Sequence, residues 1–391
     1  MNRHRRSITA RSLALILVFL ASAIVALAQS PPPPPPGQPH PRVIVFVHGI
    51  HGDRNSFRAA NGTFWPDLIR SDPRFAYSDV EVAEYPSPAS NGKMSSVQLA
   101  DLLWSNLQKD HVWDHREVVF LAHSLGGILV EEMLLRHPAD AAKVRFIVSY
   151  GTPHEGSTVA RIASLYDKDP LLNDLSDASS NNFLTQLEHN WRSHDTVNTI
   201  HRFCAYEAQD TVDDEGFIRF FKPHTRVVSY FSATYGCDVT TPPQEIPADH
   251  ITMVRPINRA TAAYDFFRRV YRDNPVLDEQ VVPRDIIVGG LTATCTQASQ
   301  SPDLQVPVAL DPTLHERVVS ATATLIDTVD VHDISPSPPV VTHIDPNGLA
   351  HINYSFKGPS KKLLVCLGTG RASLKVSFSI DRQVPLREPQ N

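Results

Sequence analysis

The run Phe120-Leu121-Ala122-His123-Ser124-Leu125-Gly126-Gly127 places a single serine between a wholly apolar stretch and a segment of helical character. A serine hydroxyl is a weak nucleophile until a neighbouring base takes its proton. It must also be lifted out of the backbone toward a substrate. A sharp strand-to-helix turn of the form small-x-Ser-x-Gly does this, and its strained backbone tolerates only small residues two positions to either side. Those positions hold Ala122 and Gly126, alanine standing where glycine is commoner. The chemistry so indicated is acyl transfer through an acyl-enzyme on Ser124.

Such chemistry needs two donors for a developing oxyanion. The segment Phe46-Val47-His48-Gly49-Ile50-His51-Gly52-Asp53 follows an early apolar run, where one donor arises in this kind of site; the other is the residue after the nucleophile. The expected donors are therefore the backbone N–H groups of Ile50 and Leu125, each worth about 3 kcal/mol in the transition state. Gly49 and Gly52 let the loop approach closely. His48, His51 and Asp53 also suggest a metal cluster, but no further ligand group completes it. The expected catalytic roles require neither a metal nor an organic cofactor.

The base should be a histidine late in the domain, with the acid between nucleophile and base in chain order. His250, in Ala248-Asp249-His250-Ile251, occupies that place. His123 adjoins Ser124, and its side chain is expected to point away from substrate. His154 falls too early, and His224 precedes the last expected strand. Three carboxylates compete for the acid: Glu207 at the end of an apolar run, Asp210 three residues on, and Asp238. Position favours Glu207.

These residues must be carried by a framework. From Arg42 onward, short β-branched runs alternate with amphipathic stretches, which reads as parallel strands with crossover helices. Strands are expected at Val43–Val47, Val80–Tyr85, Val118–Ala122, Val144–Tyr150, Ile200–Tyr206 and Val227–Phe231. Helices are expected through Val97–Leu107, Ile128–Leu134 and Ala260–Tyr271. The fold class this predicts is α/β, an α/β-hydrolase fold over 42–275. The stretch between Gly156 and Thr199 is too long for a simple loop and should hold helices above the sheet, as a lid or as a plain crossover. Past Pro275 strands recur without helices, at Ile286–Val288, Val318–Thr324, Val340–Ile344, Ala350–Phe356, Leu363–Leu367 and Leu374–Ile380. Asp345-Pro346-Asn347-Gly348 forms a hairpin turn between two of them. A small all-β, sandwich-like domain over 281–385 is expected.

At its motif residues the chain resembles the lipase-like serine esterases that include the GPI inositol-deacylases and the serine-active-site-containing proteins. The resemblance runs from about Val43 to Tyr271. Besides the two glycine-rich turns it includes Trp65-Pro66, Tyr85-Pro86, Tyr206-Glu207, Ser232-Ala233 and Asp249-His250. Its most specific part is Gly151-Thr152-Pro153-His154-Glu155-Gly156-Ser157. The resemblance implies hydrolysis of carboxylic esters, often of lipids, and supports Glu207 as the acid through the family's Tyr-Glu pair. The C-terminal β-domain lies outside it.

Composition limits what else the chain could do. Of 391 residues, 42% are apolar and 20% charged, with a formal net charge of -6, so nucleic acid is not an expected partner. The expected partner is an acyl-ester substrate, including a lipid at a membrane surface. Arg3, Arg5, Arg6 and Arg11 precede an apolar stretch from Leu13 to Ala28 that ends in Ala26-Leu27-Ala28, the pattern of a cleaved export signal over 1–28. An uncleaved anchor is the alternative. A proline-rich linker follows over 29–41. Export suits disulfides among Cys204, Cys237, Cys295 and Cys366, the simplest pairing being 204–237 with 295–366, although buried free thiols are an alternative. Two other functions fit the same chain: an acyltransferase using the same triad with an alcohol acceptor, and a non-catalytic secreted binding module carried by the β-domain.

Overall fold

The computed structural model describes residues 39–86, 94–156, 174–175, 182–211, 226–294, 297–359 and 369–386. The expected export signal, most of the proline-rich linker and the second cysteine pair lie outside these residues. So do the Leu363–Leu367 strand and most of the proposed lid.

Six strands form one parallel sheet: β1 (Arg42–Val47), β2 (Ser78–Ala83), β3 (Glu117–His123), β4 (Val144–Tyr150), β5 (His201–Glu207) and β6 (Gln244–Ile246), in the order β2-β1-β3-β4-β5-β6. Side chains alternate across a strand. In β1, Val43, Val45 and Val47 enter one apolar layer while Ile44 and Phe46 enter the other. Val118, Phe120 and Ala122 of β3 divide from Val119 and Leu121 in the same way. Both faces are thus covered, which is why these strands read as continuous apolar runs.

The first layer is closed by α2 (Ser96–Lys109), α3 (Leu125–Arg136) and α4 (Phe183–Ser193), with α1 (Trp65–Arg70) preceding them in the chain and lying on the opposite face. Helix α2 starts at a capping box in which the Ser95 side chain accepts from the Gln98 N–H and the Gln98 side chain from the Ser95 N–H. Its Leu99, Leu103 and Leu107 then recur one turn apart on the buried face. Helix α4 buries Leu184, Leu187 and Trp191 in the same layer, so the described part of the long 157–198 insertion is a packed crossover. Helix α5 (Tyr230–Thr234) follows β5, and α6 (Ala262–Asp273) closes the second layer with Tyr264, Phe266, Phe267 and Tyr271.

One expectation is overturned. Val227–Phe231 forms no strand. Ser229 caps α5 with its side chain, Tyr230 and Phe231 are exposed, and the N–H groups of Val227 and Val228 are used by a carboxylate rather than a strand neighbour. The last strand of the sheet is instead β6, three residues between Pro242-Pro243 and Pro247, too short and too polar to announce itself in the sequence.

Among the described residues after Asp273 come six antiparallel strands: β7 (Leu277–Ala293), β8 (Ser299–Pro307), β9 (Arg317–Val329), β10 (Val340–Ile344), β11 (Leu349–Phe356) and β12 (Gly370–Pro385). They make two three-stranded sheets, β7-β12-β9 and β10-β11-β8, around Val306, Ile352, Leu374, Val376, Phe378 and Ile380. The sandwich is rooted in the first sheet. Val276 and Leu386, at its two ends, pair through the backbone at 2.8 Å and are buried with α6. Buried Arg42, ion-paired to Glu117 at 2.6 Å, donates to the carbonyl of Asn274 at 2.8 Å. Strand β8, Ser-Gln-Ser-Pro-Asp-Leu-Gln-Val-Pro, has no marked alternation and was not expected. Among the described residues no helix is long and apolar enough to cross a membrane.

Candidate active site

In an open parallel sheet a site forms beyond the carboxyl ends of the strands, where the strand order reverses. Here the chain runs outward from β1 to β2 and then returns to the other side of β1 as β3, so the reversal lies between β1 and β3. The loop after β1 and Ser124 after β3 meet at that point.

Ser124 stands between β3 and α3 with φ 52° and ψ −127°. A positive φ in a non-glycine residue is strained and persists only where its surroundings impose it. They do so through close backbone approach. A Cβ on Gly126 would lie 2.5 Å from the carbonyl oxygen of His48 and 2.6 Å from that of Val47. A Cβ on Gly49 would stand 2.9 Å from the Ser124 Cβ, so the loop after β1 lies directly against the serine. That loop is held by His48, whose buried ring stacks on Tyr85 at 4.1 Å and whose carbonyl accepts the Tyr85 hydroxyl at 2.5 Å.

The three residues singled out from the sequence meet. His250 Nε2 is 3.0 Å from Ser124 Oγ, and His250 Nδ1 is 2.6 Å from Glu207 Oε2. Glu207 Oε1 accepts the N–H groups of Val227 and Val228 at 2.8 and 3.0 Å, so both carboxylate oxygens are engaged. All three side chains are buried. The competing carboxylates lie elsewhere. Asp210 faces Arg226 at 3.5 Å, and Asp238 pairs with His201 at the opposite end of β5.

The N–H of Leu125 is at the first position of α3, where a helix has no internal partner to offer. Ile50 follows Gly49 on the loop that lies against Ser124, so both expected donors are carried by chain segments next to the serine. Asp53, the acid of the His48/His51/Asp53 group, is occupied in capping Arg54–Phe57, accepting the Asn55 N–H at 2.7 Å.

Several supports were not legible in the sequence. His123 packs directly beside His250 and the loop after β1. Its Nε2 lies 2.8 Å from the carbonyl oxygen of His250, with the two rings 4.9 Å apart. Burial, reinforced by the nearby His250, holds the His123 pKa well below the ordinary histidine value. The ring is therefore neutral and donates through Nε2. Thr211 Oγ1 accepts the His250 N–H at 3.2 Å. Gly151, at φ 60°, leaves room for the imidazole, since a Cβ there would lie 3.0 Å from His250 Cε1 and Nδ1.

The Gly-Thr-Pro-His loop after β4 is anchored from below. His154 Nε2 is 3.0 Å from Glu131 Oε1. Arg202 bonds Glu131 at 3.3 Å and Glu188 at 2.8 Å, and all four side chains are buried. Burial would raise the Glu131 pKa, but the charges of His154 and Arg202 outweigh it and hold the carboxyl below its ordinary value. The loop is tied to α5 by the Ser232 hydroxyl, which accepts the Glu155 N–H at 3.0 Å and donates to the Gly156 carbonyl at 2.8 Å. Cys204 of β5 and Cys237 form a disulfide, fastening the chain after α5 to the strand that ends in Glu207.

A parallel sheet with crossover helices, bearing a strained serine turn at its carboxyl edge, a carboxylate at the end of β5 and an imidazole after β6, is an α/β-hydrolase fold. No family model and no curated protein matches the sequence. Among solved structures the chain is similar to a mature lipase of Bacillus licheniformis, at 17% identity and a TM-score of 0.41 over 62% of this chain and 95% of that one. It is similar to phospholipase PlaB of Legionella pneumophila at 12% identity and a TM-score of 0.44, over 81% of each chain. A metagenomic carboxyl esterase aligns at 16% identity and a TM-score of 0.38, over 62% of this chain and 81% of that one.

Proposed function

We propose that the chain hydrolyses carboxylic esters through an acyl-enzyme on Ser124. The observation that carries this reading is the continuous line from Ser124 Oγ through His250 to Glu207, at 3.0 and 2.6 Å. Ser124 attacks the acyl carbonyl while His250 Nε2 takes its proton, and the tetrahedral oxygen is held by the N–H groups of Ile50 and Leu125. His250 then returns the proton to the leaving alcohol, and the acyl-enzyme is hydrolysed by water activated in the same way. Glu207 holds the imidazole in the tautomer with a proton on Nδ1 and stabilises the imidazolium. Each step uses side chains and main-chain N–H groups alone. The catalytic unit is 42–275 and the β-domain 281–385. Export, supported by the basic-then-apolar N-terminus and by the Cys204–Cys237 disulfide, places the enzyme in an oxidising compartment.

Exposed Tyr230 and Phe231 on α5, beside the Glu155–Gly156 loop, support an apolar acyl group as part of the substrate. The direct test is labelling with a fluorophosphonate probe. The wild type should label and Ser124→Ala should not; equal labelling of both sinks the assignment. A series of p-nitrophenyl esters of increasing acyl length then reads out the preferred chain.

A further inference from the structure

Two strands of the β-domain bring a second group of chemistry-bearing side chains together, far along the chain from Ser124. His343 on β10 and His351 on β11 are directly paired across the antiparallel ladder. Their side chains share one face of the sheet, and the rings lie parallel at 4.4 Å. The turn joining the strands begins at Asp345 and is closed by the Gly348 N–H on the Asp345 carbonyl at 2.9 Å, with Gly348 at φ 82°. Asp345 thereby presents its carboxylate to both rings: Oδ1 is 2.5 Å from His343 Nε2 and Oδ2 is 3.5 Å from His351 Nε2.

The other nitrogen of His351 is also committed. Nδ1 lies 2.6 Å from Asp303 Oδ1 on the neighbouring strand β8. With Nδ1–H donating to that carboxylate, the Nε2 side of the ring faces the group formed with His343 and Asp345, and release of the Nε2 proton frees its lone pair for a metal. A carboxylate behind an imidazole whose second nitrogen faces outward is the arrangement that orients histidine ligands in metal sites. Alternation along β11 explains why the group is available. Ala350, Ile352 and Tyr354 face the core, so His351 between them must face out.

We propose that the β10–β11 hairpin carries a divalent metal site of the zinc class, with His343 Nε2, His351 Nε2 and the Asp345 carboxylate as ligands and Asp303 orienting His351. Two imidazole nitrogens and one carboxylate oxygen suit a borderline cation such as zinc rather than calcium or magnesium, which take mainly oxygen. One ligand atom from each of the three residues already lies within 4.8 Å of the others. Ligands about 2.0–2.1 Å from one zinc ion stand about 3.3 Å apart in a tetrahedral site. A modest rotation of the exposed His343 ring closes the set, leaving the fourth position to water. The ion would bind strand to strand across the turn and so brace the hairpin. It would supply nothing to the triad, consistent with a catalytic centre that needs no metal.

The test uses the full chain without a histidine tag, stripped with chelator, desalted and titrated with zinc against a competing chelating dye. One equivalent is expected to bind, with a rise in Tm. Cobalt substituted at the site should give the visible absorption of a low-coordinate nitrogen and oxygen set. His343→Ala and His351→Ala should each abolish the cobalt spectrum and weaken zinc binding at least ~100-fold, and Asp303→Asn should weaken it ~10–100-fold while keeping the spectrum. Circular dichroism and fluorophosphonate labelling of Ser124 should be unchanged in all three variants. Failure of the wild type to take up zinc overturns the site, as does undiminished uptake by the His343→Ala/His351→Ala double variant.

Discussion

The imidazole of His123 donates from Nε2 to the main-chain carbonyl of His250 at 2.8 Å, so the residue preceding Ser124 holds the backbone of the residue that faces Ser124 Oγ. Residues 127 positions apart in the chain are thereby locked in one unit.

That contact has a pH signature. The folded pKa of His123 is depressed by burial, while the unfolded value is the ordinary one near 6.5. Above that pH both states are neutral and stability does not depend on this group. Below it the unfolded chain takes up a proton that the folded chain refuses, and stability falls by about 1.4 kcal/mol per pH unit until the folded pKa is reached. Buried His48 acts in the same direction. His123→Gln keeps a donor for the His250 carbonyl and removes one proton's worth of slope. Urea unfolding between pH 7.5 and 5 should give a visibly flatter stability profile for the variant, and parallel profiles would refute the assignment.

The acid can be separated from its rivals by charge removal alone. Glu207→Gln keeps the shape but takes away the negative charge at His250 Nδ1, and kcat should fall by about 10⁴ with KM little changed. Asp210→Asn, which disturbs the pair with Arg226, and Asp238→Asn, which disturbs the contacts with His201 and Thr240, should stay within a few-fold of wild type. A larger loss for either would transfer the role.

Gly126→Ala should unfold the protein more readily and inactivate it. Its new methyl would meet the carbonyl oxygens of His48 and Val47, and backbone atoms of a buried strand end cannot give way. Destabilisation of about 1–3 kcal/mol is expected, read as a lower urea midpoint. Gly289→Ala is the control: on β7 a Cβ meets nothing closer than 3.9 Å, so any change should stay near 0.5 kcal/mol.

Arg202→Leu should be among the more damaging substitutions away from the triad. It removes the buried guanidinium shared by Glu131 and Glu188, leaving them their contacts with His154 and Arg192, with a loss of about 3 kcal/mol. Because His154 shares Glu131, the loop after β4 should loosen as well, and hydrogen exchange at Glu155 and Gly156 should speed up.

Local chemistry made much of this legible. Ser124 announced itself because a strained turn demands small neighbours, and β1, β3 and β4 because strands buried on both faces must be apolar throughout. Two other elements are not legible in the sequence, for equally physical reasons. Val227–Phe231 has strand-forming residues, yet the N–H groups of Val227 and Val228 are drawn to Glu207 and Ser229 caps a helix. Edge strand β6 has three residues, only one of them buried, and so leaves no pattern.

The sequence by itself determined the strained serine turn at Ser124 and the change from alternating helices and strands to strands alone, because these follow from short-range sterics and from which faces must be apolar. It left Glu207, Asp210 and Asp238 open as the carboxylate, and offered no sign that His343, Asp345 and His351 face one another. Only the tertiary structure decided which carboxylate meets His250 and which histidines share a strand face. Side-chain contacts across 43 or 126 residues depend on how strands are ordered and registered, and no local rule carries that information.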